Sequence, residues 1–246
     1  MYQKVSATGF LGREPETRAG NDGTPVTTFS LGVNRHWITA TGEPQEKSIW
    51  LMVSAWGKLA ELAASLKRGD AVNLEGWVEP VAWMDHKENQ PRARLDLTAT
   101  ALRFVGTRAD PGQGHGITQF VQALVVGHLG KDPESRSTPS SVPITSFSVA
   151  TSRRNGGDEK PVWFRVTCWR KLADLTAQYL RKGRLALVDG DLDVSAWIDR
   201  DGNPQATLEL SAVNVRFLGG RSENSTSLTA PAAQETPTGG AAEIQW

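Results

Sequence analysis

Trp163-Phe-Arg-Val-Thr-Cys-Trp169 decides the fold of this chain, because the same pattern occurs earlier as Trp50-Leu-Met-Val-Ser-Ala-Trp56. Side chains on a strand alternate between its two faces. Phe164, Val166 and Cys168 therefore share one side, with Trp163, Arg165, Thr167 and Trp169 on the other. Leu51, Val53 and Ala55 likewise lie opposite Trp50, Met52, Ser54 and Trp56. One face of each stretch is a plain core face. The other holds two tryptophans beside polar residues, which leaves exposed apolar surface unless a ligand covers it.

The duplication extends outward in both directions. Gly9-Phe-Leu-Gly-Arg-Glu-Pro-Glu reappears as Gly127-His-Leu-Gly-Lys-Asp-Pro-Glu, and Thr24-Pro-Val-Thr-Thr-Phe-Ser-Leu as Val142-Pro-Ile-Thr-Ser-Phe-Ser-Val. Downstream, Leu66-Lys-Arg-Gly matches Leu180-Arg-Lys-Gly, Ala82-Trp83 matches Ala196-Trp197, and Leu102-Arg-Phe-Val-Gly matches Val215-Arg-Phe-Leu-Gly. Gly9 and Gly127 stand 118 residues apart and Trp50 and Trp163 stand 113 apart, so the offset shifts only where loops fall. A solenoid needs three or more shorter units; two long ones are two domains. The expected boundaries are residues 1–106 and 118–219, with a Gly- and Pro-containing linker at 107–117. Residues 220–246 are rich in Ser, Thr, Ala, Pro and Gly and are expected to be a disordered tail with an apolar tip.

Within each unit, apolar–polar alternation predicts five strands. They lie near 2–11, 24–36, 48–57, 70–83 and 92–105, and again near 119–129, 141–153, 161–170, 184–198 and 205–218. Polar loops are expected at 38–47 and 154–160. A short helix follows the third strand, marked by Leu59, Leu62 and Leu66 or by Leu172, Leu175 and Tyr179, with Gly69 and Gly183 as expected C-caps. Asp85–Pro91 and Asp199–Pro204 read as hairpin tips. Five strands with a helix between the third and fourth is the order of the OB fold, a partly open barrel. The expected class is all-β, with one short helix per unit and two OB barrels in tandem.

Nine tryptophans stand beside only two tyrosines and seven phenylalanines, so the aromatic enrichment is specific to Trp. Bases of any sequence can stack on an indole. Trp50, Trp56, Trp163 and Trp169 are the first candidates, and Trp83 and Trp197 form a third matched site. Trp37 has no counterpart; its place is taken by Arg153-Arg154, which can supply guanidinium stacking or a phosphate contact. Trp77 aligns with Asp191 and is expected to be a structural residue, in the core or plugging the barrel edge. Arg35, Lys47, Lys87, Arg92, Arg94, Lys160, Arg165 and Arg170 are candidate phosphate contacts, although any one alone is more often a solvated charge.

Other classes find little support. Formal net charge is zero, which disfavours binding by charge alone. His36, His86, His115 and His128 have no ligand spacing, Cys168 sits on the core face, and no phosphate-binding glycine motif occurs. Neither catalysis nor a cofactor nor a metal is expected. No run of about 20 apolar residues or secretory pattern is present, and one cysteine makes an internal disulfide impossible, so a cytoplasmic protein is expected. Oligosaccharides also stack on Trp and remain an alternative.

At these residues the chain resembles the bacterial single-stranded DNA-binding protein family, and is most similar to its variant with two OB folds in one chain. The carrying segments are Gly127-His-Leu-Gly-Lys-Asp-Pro-Glu and its twin, Trp50…Trp56-Gly-Lys-Leu-Ala, Leu180-Arg-Lys-Gly and Trp197 before Asp199-Arg-Asp-Gly, over residues 1–219. The resemblance implies sequence-independent binding and protection of single-stranded DNA in replication, recombination and repair, in a nucleoid-associated homodimer of four OB folds. It places the family's stacking aromatics on Trp37, Trp50, Trp56, Trp83, Trp163, Trp169 and Trp197. The family usually ends in an acidic run and an apolar tip that recruits replication and repair enzymes. This chain ends Glu243-Ile-Gln-Trp246, so Glu243, Ile244 and Trp246 are the expected partner contacts without the acidic run. The alternative within the same fold is an accessory protein of replication restart or recombination that acts mainly through protein partners.

Overall fold

The tryptophan-bearing stretches are the fourth and tenth of twelve strands. In the computed structural model, residues 1–38, 42–107, 116–155 and 158–218 are described. The first half runs β1 (Tyr2–Leu11), β2 (Glu16–Ala19), β3 (Pro25–Ile38), β4 (Pro44–Trp56), α1 (Lys58–Ala64), β5 (Asp70–Asp85) and β6 (Gln90–Thr107). The second repeats it as β7 (Phe120–Leu129), β8 (Glu134–Ser137), β9 (Pro143–Asn155), β10 (Asp158–Trp169), α2 (Lys171–Tyr179), β11 (Leu185–Ile198) and β12 (Pro204–Leu218).

Each half closes a barrel in the order β1-β3-β4-β6-β5, or β7-β9-β10-β12-β11. All pairings are antiparallel except β4–β6 and β10–β12. Closure rests on two residue pairs per barrel, Phe10↔Gly32 with Leu11↔Leu31, and His128↔Ala150 with Leu129↔Val149. This is the OB topology. The repeated glycine that opens each Gly-x-Leu-Gly motif makes closure possible: a Cβ on Gly127 would stand 2.0 Å from the Ala150 carbonyl oxygen. Inside, Phe29, Leu51, Leu74 and Leu97 and their counterparts Phe147, Phe164, Val188 and Leu210 are fully buried. Burying one such Leu or Phe contributes about 1.5–3 kcal/mol.

The two barrels are also hydrogen-bonded to each other. β1 pairs antiparallel with β7 from Tyr2↔Val126 to Thr8↔Phe120, so all twelve strands form one continuous sheet. Val5 and Ala7 join Val121, Ala123 and Val125 in an apolar cluster common to both halves.

Three expectations change. β3 extends to Ile38 and β4 starts at Pro44, so half of the expected loop 38–47 is a two-stranded ribbon; β9 and β10 likewise reach into 154–160. Short strands β2 and β8 were not anticipated; both are exposed throughout and offer no apolar period. Gly69 and Gly183 do not cap helices. Asp70 N–H donates to the Lys67 carbonyl and Arg184 N–H to that of Arg181, which makes each glycine the third residue of a tight turn, with φ of +89° and +78°.

The helices follow the expected pattern in part: Leu66 is buried and Leu59 and Leu172 pack half-buried against the core, whereas Leu62, Leu175 and Tyr179 are exposed and Ala60, Ala63, Ala173 and Thr176 are buried instead. Small residues allow a close approach to β3 and β9, where the buried Thr27 and Thr145 hydroxyls donate to the carbonyls of Ala60 and Ala173, both at 2.8 Å. The expected tail, with Glu243, Ile244 and Trp246, lies outside the described residues, as do residues 108–115 of the expected linker.

Candidate nucleic-acid interface

The alternation along β4 and β10 sets the site. Leu51 is 1% exposed and Trp50 51%; Phe164 is fully buried and Trp163 48% exposed. Val53, Ala55, Val166 and Cys168 are buried as well, while Trp56 and Trp169 stand out from the surface. Burial pushes the Cys168 thiol up to about 12, so it takes no part in surface chemistry.

The second glycine of each Gly-x-Leu-Gly motif seats a ring. A Cβ on Gly130 would lie 2.5 Å from Cζ3 of Trp163, and one on Gly12 would lie 2.8 Å from Cζ3 of Trp50. Gly32 also backs the Trp50 ring, and Gly20 stands beside Trp56. The motif thus couples barrel closure to the placement of an exposed indole.

Trp83 and Trp197 occupy matched places near the ends of β5 and β11, and both are exposed. The Arg94 guanidinium stands 5.8 Å from the Trp83 ring centroid. Its bond to the Asp96 carboxylate (Nε to Oδ1, 2.6 Å) holds it there and raises its already high pKa. Trp197 Nε1 donates to the Thr207 hydroxyl at 3.0 Å, which fixes the ring while leaving its face open. Trp37 is exposed near the end of the β3–β4 ribbon, and Trp77 is half-buried.

A groove of about 460 Å³ runs between Trp50 and Trp83, with Lys47, Arg92 and Asp193 also on its walls. Trp50 lines a second concavity of about 510 Å³ with Gly12, Asn34 and Arg68. A third, of about 460 Å³, holds Trp56 with Arg18, Gly20 and Asn21. Arg18 and Arg68 were not singled out in the sequence. Arg68 lies in the repeated Leu66-Lys-Arg-Gly block, and that recurrence was the available signal.

The cations divide into groups. Arg35 Nη2 pairs with Asp191 Oδ2 at 3.0 Å and Lys47 Nζ with Asp193 Oδ2 at 2.6 Å, both across the two halves. Arg92 pairs with Asp85 and Glu88, and Arg165 more loosely with Glu209 at 3.7 Å. Lys87 and Lys160 are exposed at or beside hairpin tips. Arg153 and Arg154 are placed in β9 by their backbone alone, with Arg153 opposite Lys160. Arg170 precedes α2 with φ +53°, where the first half has Gly57 at φ +57°. Among the described residues, no group of three or more His, Cys, Asp or Glu could hold a metal ion.

Fold and site together define a tandem OB-fold protein with an open aromatic face on each barrel. The sequence profile described as the single-strand binding protein family matches residues 2–105 and again 120–218. The chain belongs to this family. It is 30% identical to a single-stranded DNA-binding protein of Deinococcus radiodurans over 249 residues, covering 95% of this chain and 82% of that one. A single-stranded DNA-binding protein of Neisseria meningitidis is 38% identical over 109 residues, 42% of this chain and 63% of the relative. Among solved structures, the wild-type single-stranded DNA binding protein of Thermus aquaticus superposes with a TM-score of 0.61 at 22% identity, covering 89% of this chain and 94% of that one. A deletion variant of the same protein gives a TM-score of 0.62 at 21% identity, covering 91% and 98%. These structures share the fold.

Proposed function

We propose that this chain binds single-stranded DNA without sequence preference and protects it during replication, recombination and repair. The observation that carries this reading is the duplicated Trp pair, exposed on one face of β4 and β10 while the opposite face is core. Unpaired bases stack on Trp50, Trp56, Trp83, Trp163, Trp169 and Trp197, with Trp37 extending the first platform. Lys87, Lys160, Arg165, Arg153 and Arg154 contact phosphates. Residues 1–106 and 118–219 act as two binding units joined by the linker. The reading makes the chain a binding protein, not an enzyme. It works in the cytoplasm as a homodimer, with Glu243, Ile244 and Trp246 meeting partner enzymes. Among the described residues no helix is long and apolar enough to cross a membrane.

The test is a titration of the whole chain with oligo-dT, duplex DNA and glycans, followed by Trp fluorescence. Oligo-dT quenches; the others do not. Stacking on OB-fold single-strand binders as a class is worth about 1–3 kcal/mol per base. Replacing Trp50, Trp56, Trp163 and Trp169 by Ala thus costs at least about 4 kcal/mol, near a thousandfold. A folded variant that keeps its affinity refutes the platform. Mass in solution tests the dimer, and deletion of the last four residues followed by partner binding tests the tip.

A further inference from the structure

The groove between Trp50 and Trp83 is lined with matched charge. Its Lys47 is bound by Asp193, its Arg92 by Asp85 and Glu88, and its Arg94 by Asp96. Arg35, on the same ribbon as Lys47, is bound by Asp191. Asp191 and Asp193 alternate along β11, so both side chains lie on one face of a strand from the other half of the molecule. Gln119 Oε1 adds a third contact to this ribbon by accepting from the Asn34 N–H at 2.9 Å.

We propose that Asp193 in the groove, and Asp191 beside it on β11, stand in for DNA phosphates, so that the strand must displace two internal carboxylates to reach Lys47 and Arg35. This rests on the single-strand binding proposed above and sets its affinity and salt response. A phosphate that meets an unpaired protein cation releases the counterions condensed on the strand. Where the cation is already paired to an internal carboxylate, the displaced carboxylate gathers a cation from solution and offsets that release. The number of ions set free is then smaller than the number of phosphates engaged. The salt dependence is shallower than about −0.7 per phosphate in a log–log plot. The ion pairs also tether the β3–β4 ribbon across the seam, so strand entry frees the ribbon that carries Trp37.

The two halves differ at one of the two acidic positions: Glu79 stands in the place of Asp193, but Asp191 has no acidic counterpart. In the internal repeat Trp77 occupies the place of Asp191, and an indole offers no carboxylate to an arginine. The second half cannot reproduce the Arg35 pair at that position.

The test uses the full chain, oligo-dT and Trp fluorescence at several NaCl concentrations. In Asp191→Asn/Asp193→Asn, affinity at low salt rises about two- to fivefold per carboxylate, the range an exposed ion pair commands. The slope becomes more negative by up to about 0.7 for each. If the double variant melts early, Asp193→Asn alone carries the test, since it leaves the Arg35–Asp191 pair across the two halves in place. Adding Lys47→Gln to Asp193→Asn abolishes the gain. Unchanged affinity and slope in a folded variant overturn the proposal, as does a gain that persists without Lys47, which marks a bulk charge effect. Those outcomes leave the Trp platform intact. Failure of the unaltered chain to bind oligo-dT removes both.

Discussion

Substituting Gly130 by Ala separates ring placement from barrel integrity. The new Cβ would stand 2.5 Å from Cζ3 and 2.7 Å from Cη2 of Trp163. Carbon atoms pack at about 3.5–4.0 Å, so the indole must swing by about 1 Å or more. Gly130 has no left-handed backbone to protect, and the ring has open solvent to move into, so the barrel survives. Removing the ring altogether in Trp163→Ala costs one stacked base, about 1–3 kcal/mol or roughly 5- to 150-fold. Displacing it keeps about half of that, so oligo-dT affinity falls roughly two- to tenfold with an unchanged melting temperature. Gly127→Ala is the converse. Its Cβ meets a backbone oxygen at 2.0 Å, which cannot swing away, and stability falls by about 3 kcal/mol, the upper end of overpacking. The assays are thermal melting by circular dichroism and fluorescence titration with oligo-dT. Wild-type affinity in Gly130→Ala beside a loss in Trp163→Ala refutes the seating role. Wild-type affinity in both removes Trp163 from the interface.

Three further outcomes follow from the fold. Arg170→Gly stabilises the protein by about 1 kcal/mol in urea unfolding, because Arg170 holds a φ of +53° that Gly57 occupies freely in the first half. Thr145→Val costs about 1 kcal/mol by the same measurement, since the Ala173 carbonyl loses one buried donor and keeps the Thr176 hydroxyl at 3.0 Å. Cys168 resists thiol reagents in the folded protein and reacts on unfolding. Because burial raises its folded value from 9.0 to about 12, stability is undiminished below pH 9 and erodes as pH climbs toward 12.

What the sequence made legible was local and periodic. The alternation in Trp163–Trp169 spans seven residues and needs no distant partner, so the core and open faces of β10 were readable directly. The duplication supplied a second copy of each motif and fixed the strand order. The helices were legible in part, with Leu59, Leu66 and Leu172 toward the core, but seven or nine residues carry too little period to separate Leu62 or Leu175 from a core position. The face that α1 buries meets a partner 33 residues away, the Thr27 hydroxyl on the Ala60 carbonyl. The outer arms of β3 and β4 read as loop because a ribbon beyond the barrel has no core face to mark. The second glycine of Gly-x-Leu-Gly was visible as a repeat, yet its purpose required the Trp163 ring in place.

The charges were the least legible part, and the reason bears on how a neutral chain binds a polyanion. Arg35 and Asp191 are 156 residues apart and Lys47 and Asp193 are 146 apart, so no window of sequence joins them. Read singly, each base looked free for phosphate. Placed together, the cations lining the Trp50 groove are matched by carboxylates, and the groove offers little uncompensated field to draw in DNA. On the proposed platform, bases supply the affinity by stacking, and phosphates compete for cations that already have partners. The high Trp content and the zero net charge are two aspects of the same design: aromatic faces hold the strand, and paired charges moderate how strongly salt governs its release.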